Sequence, residues 1–284
     1  MRIVFSSFSS LVDLLRLSFG AVRPALRALE RRSIPLILWS GRTLGEILAT
    51  NEPWFGQQPL VVEGGSALYV PEDYFPSSVF DSHWQPANGF HVYVCGVRRE
   101  ALKPVLQHLR HRLQADLVCF SDWTAAELAI MLGIPIEAAE QAQQRQFSEV
   151  FQYQGDPDHL RQALLDAPVL TFPVQVEALP APLPAHHWLL TAHNQRAIPT
   201  LLQCYQQHVG AVVSLGIGWH PQDLGFLPWM DQAVILPSPQ EAVLWQQPGS
   251  RWTKGDLPAP EGWNEAVLTW LEATDQPEEL DGDA

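Results

Sequence analysis

Arg2-Ile3-Val4-Phe5-Ser6-Ser7-Phe8-Ser9-Ser10-Leu11-Val12-Asp13 opens the chain with an apolar run that stops abruptly at hydroxyl residues. Such a run predicts a buried parallel strand, with the polar loop at its carboxyl end, where open α/β sheets receive ligands. The pattern recurs twice. Leu36-Ile37-Leu38-Trp39 runs into Ser40-Gly41-Arg42-Thr43, and Leu60-Val61-Val62 into Glu63-Gly64-Gly65-Ser66. Residues 22–32 carry apolar side chains at Val22, Ala25, Leu26 and Leu29, with Pro24 suited to a first helical turn. A second helix is predicted to run through Leu48. Strand, polar loop and helix in alternation predict an α/β fold built on a parallel sheet.

From about Asp81 the pattern changes. Phe90-His91-Val92-Tyr93-Val94 alternates like a half-exposed antiparallel strand, and helices are expected over residues 99–113, 124–132, 136–144 and 158–165. Short strands are expected near Leu117-Val118-Cys119-Phe120, at Phe151-Gln152-Tyr153 and around Pro173. Residues 81–185 therefore predict an inserted α+β cap domain, with Leu179-Pro180-Ala181-Pro182-Leu183-Pro184 as the linker back to the core. The core resumes over residues 186–274, with a helix at 194–207, buried strands at 211–217 and 234–236, and a closing helix at 261–272. On that helix Trp263, Ala266, Val267, Trp270 and Leu271 share a face. Residues 275–284 read as an acidic, frayed tail.

The chain of 284 residues is 46% apolar, enough for a sizeable core. A formal net charge of −14 argues against nucleic acid and anionic membranes as partners, since affinity for phosphate backbones comes from Lys and Arg. Residues 5–22 resemble a short signal peptide, but Asp13 and Arg16 interrupt the apolar run. Cys95, Cys119 and Cys204 are odd in number and lie in apolar surroundings, so reduced thiols and a cytoplasmic location are expected. Neither His108 with His111 nor His186, His187 and His193 has a further acid or cysteine at ligand spacing, so no metal is expected on either group.

Four stretches carry a resemblance. They are Val61-Val62-Glu63-Gly64-Gly65 followed by Tyr69-Val70-Pro71-Glu72-Asp73-Tyr74-Phe75; residues 120–132; Arg145-Gln146-Phe147-Ser148-Glu149-Val150-Phe151; and Pro258-Ala259-Pro260-Glu261-Gly262-Trp263-Asn264-Glu265. In this order they resemble the mannosyl-3-phosphoglycerate phosphatase family of the haloacid dehalogenase superfamily. The resemblance implies a Rossmann-like core with an inserted cap, and Mg²⁺-dependent hydrolysis through an aspartate nucleophile. That chemistry needs a carboxylate at the end of the first strand and a second acid two residues on. Laid on the family pattern, Ser7 and Ser9 replace the two aspartates, Asn194 replaces the lysine, and Trp219 replaces the first acid of the fourth motif. Ser40, the phosphate-binding hydroxyl, and Asp223 are retained. Arg145, Ser148 and Glu149 match positions that face the substrate. Ser40, Arg42, Glu63, Gly64, Arg145, Ser148 and Glu149 are thus the expected ligand-binding residues, with no catalytic set and no metal.

Losing a nucleophile outright lowers turnover by ~10⁶, and one remaining carboxylate is too few to hold Mg²⁺. A serine mechanism through Ser7 would need a base within hydrogen-bond reach, and His220 is the candidate the sequence offers. The function expected first is a pseudophosphatase that binds a protein partner or a second copy of itself as a regulatory scaffold. The alternatives are a sensor of a sugar phosphate or phosphoglycerate, and a residual sugar-phosphate phosphatase that would require Mg²⁺. Trp39 and Trp219, at strand ends, are expected to fill part of the former pocket.

Overall fold

The structure, a computed structural model, describes residues 1–12, 18–50, 52–168, 170–179, 186–239, 241–245 and 251–275. The opening run forms β1 (Arg2–Ser7), and five of its six residues are buried, as a strand flanked on both sides requires. Helix α1 (Arg23–Arg31) and strand β2 (Leu36–Trp39) follow. The short α2 (Leu44–Leu48) starts at a capping box, in which Thr43 Oγ1 accepts from Glu46 N–H while Glu46 accepts from Thr43 N–H. Next come β3 (Leu60–Val62), β4 (Ala67–Pro71), β5 (Trp84–Ala87) and β6 (Phe90–Val94). Then come α3 (Lys103–Leu113), β7 (Val118–Cys119), α4 (Ala125–Leu132), α5 (Ile136–Gln143), β8 (Ser148–Gln152), α6 (Pro157–Leu165), β9 (Val174–Ala178) and β10 (His187–Ala192). The chain ends through α7 (Ala197–Val209), β11 (Val213–Gly218), β12 (Gln232–Ile235), α8 (Glu241–Leu244), β13 (Trp252–Lys254) and α9 (Glu261–Asp275).

Among the described residues these strands form two sheets. The larger has the order β13-β12-β11-β1-β2-β3-β4-β6-β5, and the smaller β7-β8-β10-β9. From β13 to β3 every pairing is parallel, and β4, β6 and β5 extend the edge as antiparallel hairpins. One face of the large sheet packs on α1 and α9 through Leu26, Leu29, Trp263 and Val267, the other on α7 through Ile198, Leu201 and Tyr205. An α/β fold with a parallel-dominated sheet and a second, mixed lobe is therefore what the chain adopts. No helix among the described residues is long and apolar enough to cross a membrane.

The boundaries of the insert differ from those read in the sequence. The β5–β6 hairpin belongs to the core sheet, so the large sheet continues past residue 80 to Val94. Alternation at residues 90–94 marks a strand with one face open, which an antiparallel extension of a parallel sheet also produces. At the other end β10, absent from the sequence reading, pairs with β8 and β9 inside the smaller sheet, so the core resumes near residue 193 rather than 186. Chain exit and return meet at Gly96 and His193, which form an antiparallel bridge. Val97 N–H donates to Ala192 O and Asn194 N–H to Cys95 O, at 2.9 and 3.0 Å. Residues 180–185 of the expected linker lie outside the described residues, and the strands flanking them both belong to the insert. At the other terminus Asp275 is tied down, pairing with Arg2 and Arg32 at 2.8 and 2.7 Å, so the tail does not begin there.

Candidate functional site

Ser7 ends β1 and is 4% exposed. The chain then turns through a 3-10 helix, Phe8–Ser10, which folds the hydroxyls back on one another. Ser7 Oγ lies 2.7 Å from Ser10 Oγ, Ser6 Oγ lies 3.2 Å from the same atom, and Ser10 Oγ donates to Ser7 O at 2.9 Å. Ser9 faces the carboxyl end of β11, where Trp219 Nε1–H donates to Ser9 Oγ at 3.2 Å. In the loop after β11, Trp219 N–H and His220 N–H donate to Asp223 Oδ2 at 2.7 and 2.9 Å. Burial pushes the Asp223 carboxyl up to about 7 against those two amides. The Ser7 hydroxyl faces this carboxylate and lowers its pKa, yet it falls short of a hydrogen bond and leaves Oδ1 buried without a partner.

Glu177, which the sequence reading did not single out, comes to the same place from the insert. On β9 it pairs in register with Leu189, and directly opposed residues of antiparallel strands point to one face. That face meets the core, because a Cβ on Gly41 or Gly64 would touch the Leu189 side chain. The residue as a whole is partly exposed, but its Oε2 is buried without a partner. Burial, then the neighbouring Asp223 charge, push its carboxyl up to about 8. The alternation Val174-Gln175-Val176-Glu177 carried the signal, but it indicates a face only once the partner strand β10 is known.

The other expected residues gather along the seam between insert and core. Glu63, in the turn after β3, accepts from Gln146 N–H at 3.0 Å through Oε1, and from Phe147 N–H at 3.0 Å and the Ser148 hydroxyl through Oε2. Arg145, with a side chain 3% exposed, donates from Nη1 to Gly41 O at 2.8 Å and to Ser148 Oγ at 3.0 Å, and pairs through Nη2 with Glu46 at 3.2 Å. Arg42 pairs with Glu46 at 3.4 Å and lies over the Phe8 ring at 5.2 Å. Ser40 Oγ accepts from Arg42 N–H at 3.1 Å, and Gly64 N–H donates to Ser40 O at 2.9 Å. Glu149 stands apart. Adjacent to Ser148 on a strand, it points the other way, into the insert, where it pairs with Arg99 at 2.7 Å and accepts from Ser121 Oγ at 2.8 Å. Asn194 Oδ1 accepts from Arg196 N–H at 3.1 Å, which orders the turn before α7. His220 does not meet Ser7 in a hydrogen bond; its Nδ1 accepts from Gln222 N–H at 3.3 Å, and burial depresses its pKa to about 4.

Two curated relatives match nearly the whole chain, and both are named glucosyl-3-phosphoglycerate/mannosyl-3-phosphoglycerate phosphatase. The one from Methanococcoides burtonii is 24% identical over 273 residues, covering 94% of this chain and 96% of the relative. The one from Persephonella marina is 22% identical over 257 residues, covering 88% and 89%. This chain is a homologue of those phosphatases. A solved sugar phosphatase of haloacid dehalogenase subclass IIB superposes with a TM-score of 0.61 at 14% identity, covering 95% of this chain and 99% of that one, which shows the shared fold. No family model matches the chain.

Haloacid dehalogenase phosphatases typically use Mg²⁺, and the strand-end residues Ser7, Ser9 and Trp219 offer that ion no carboxylate. Mg²⁺ takes near-octahedral oxygen ligation with one or two carboxylates. At the three strand-end positions stand two serines and an indole, and the indole N–H is bonded to one of the serines. Asp223 is the acid in the loop after β11, with Oδ2 bonded to two amides and Oδ1 unpartnered, and the second carboxyl nearby, Glu177, comes from the insert rather than from a strand end. Trp39 takes a different route from Trp219. Its ring lies under the loops, in contact distance of Gly65 and Gly225, where an added Cβ would come within 2.5 and 2.2 Å of it.

Proposed function

We propose that this chain is a pseudophosphatase, a sugar-phosphate-phosphatase-like protein that has given up aspartyl chemistry and serves as a regulatory or protein-binding scaffold. The observation that carries it is the Trp219 Nε1–H to Ser9 Oγ bond of 3.2 Å, which joins two positions where carboxylates would have to flank a metal. Ser7, at the nucleophile position, is bonded to Ser10, and the carboxyl it faces, Asp223, is itself engaged by two backbone amides. Three buried free thiols accord with a cytoplasmic setting. The sensor alternative finds less support, because Glu63, Arg145 and Ser148 are engaged with one another across the seam. Homology to named phosphatases favours a second reading, residual hydrolysis of a sugar phosphate.

Phosphate release from mannosyl- and glucosyl-3-phosphoglycerate with Mg²⁺ separates the two. The expected result is no release above a heat-inactivated control, and no change on Ser7→Ala. Turnover of ~1 s⁻¹ or more, within the ordinary enzymatic range, overturns the proposal. A stoichiometric protein partner in pull-downs, or a dimer by light scattering, is the positive result it calls for.

A further inference from the structure

Beside the Glu63 contacts lies a pocket of about 310 Å³, at the lower end of the range of small-molecule sites. The core contributes Leu44, Leu48, Tyr69, Phe90 and Val92 to its wall, and the insert contributes Arg98 and Phe147. Ser7, Ser9, Ser40, Trp219 and Asp223 are not part of that wall, so this pocket is separate from the strand-end loops and independent of how they are read.

Its wall also carries Thr43, Gln85, Asn88, Gln144 and Gln146, and its charged groups are Arg98 and Glu63. Arg98 lies over the Phe147 ring at 4.9 Å and donates to Gln146 Oε1 at 2.9 Å, and it pairs with no carboxylate among the described residues. In a chain of net charge −14, an arginine without a carboxylate partner is a local attractor for anions. Tyr69 is 7% exposed, and burial first and Glu63 second push its hydroxyl up to about 12, with Arg98 opposing, so it remains a donor at neutral pH. Glu63, the one acid on the wall, accepts from three donors of the insert and offers little further acceptor capacity. A guanidinium and a hydroxyl donor beside the apolar side chains of Phe90, Val92 and Phe147 match a planar carboxylate carried on an apolar body.

We propose that this pocket binds a small organic carboxylate, with its anionic end on Arg98 and the Tyr69 hydroxyl and its apolar body against Phe90, Val92 and Phe147. Because the walls come from both lobes, the ligand also fastens the insert to the core. The test is calorimetric titration and thermal shift of the full chain with 3-phenylpropionate, using 3-phenylpropanol and inorganic phosphate as controls. The carboxylate should bind and raise Tm, with the alcohol weaker by about tenfold for want of the charge-assisted pair and phosphate giving no shift. Arg98→Gln should weaken the carboxylate by about tenfold or more. Tyr69→Phe should weaken it by a smaller factor. Both variants should keep the circular dichroism spectrum and cooperative melting of the parent. Carboxylate and alcohol binding equally, an unchanged affinity in Arg98→Gln, or no binding up to ~10 mM, weaker than the millimolar range of specific sites, overturns the proposal.

Discussion

Glu63 sits at φ +50°, a region that non-glycine residues rarely occupy, and Gly64 and Gly65 continue the turn at φ +66° and +96°. Its three hydrogen bonds to residues 146–148 hold the strained turn in place and join insert to core. Glu63→Gln keeps the shape but weakens charge-assisted acceptance from buried donors, so it should lower unfolding stability by about 1–3 kcal/mol. A urea midpoint identical to that of the parent would show that the contact contributes nothing. Gly65→Ala meets two obstacles, the positive φ and a Trp39 ring 2.5 Å from the new Cβ, and should destabilise by about 1–3 kcal/mol in the same measurement. Glu63 and Gly64 were legible in the sequence as residues that do something. That the partners of Glu63 are two amides and a hydroxyl of the insert, rather than a ligand, depends on residues more than 80 positions away.

At the scale of elements, the helices followed local signals closely. Thr124 with Glu127 caps α4, and Gly133 ends it in the left-handed conformation, as the residue types require. Thr124→Ala should lower stability by about 0.5–2 kcal/mol, read as a loss of thermal midpoint. Helix α9 shows the apolar face that its period predicted, with Trp263 fully buried against the core sheet. Trp263→Ala should remove about 3–5 kcal/mol, and a midpoint shift under 1 kcal/mol would mean the face is not a core contact. Strands β9 and β10 were the elements least legible. All six residues of β10 are buried, but His187 and Thr191 break its apolar run and a proline-rich stretch precedes it. The pairing with β8 and β9 overrides that weak local preference.

For the whole molecule, the buried titratable groups set a pH profile. Asp223 and Glu177, raised to about 7 and about 8, keep a proton in the folded chain at pH values where the unfolded chain has released it. Their contribution is complete below their unfolded pKa values of about 4 and disappears as pH rises through about 7 to 8. His193 and His220 act in the opposite sense. Burial depresses both to about 4, so they contribute fully above the unfolded value near 6.5, and that contribution is lost as pH falls toward 4. Between pH ~4 and ~6.5 the two pairs oppose each other, and above that only the carboxyls act, so Tm should decline from pH ~6.5 to ~8. Glu177→Gln and Asp223→Asn should each flatten that decline and leave the histidines' rise between pH ~4 and ~6.5 less opposed. A parent Tm constant between pH ~6.5 and ~9 would exclude a proton held at the seam.

The sequence by itself determined most of the succession of strands and helices, the polar loops at the carboxyl ends of β1, β2 and β3, and the likeness to a phosphatase family. Those properties are local, since they depend on residue type, period and order along the chain. Only the tertiary structure decided that β5 and β6 extend the core sheet, that Glu149 turns away from the seam, and that Glu177 reaches the Asp223 loop. These follow from pairing register and from packing between segments tens to hundreds of residues apart, and a one-residue change of register would reverse every face that such an assignment depends on.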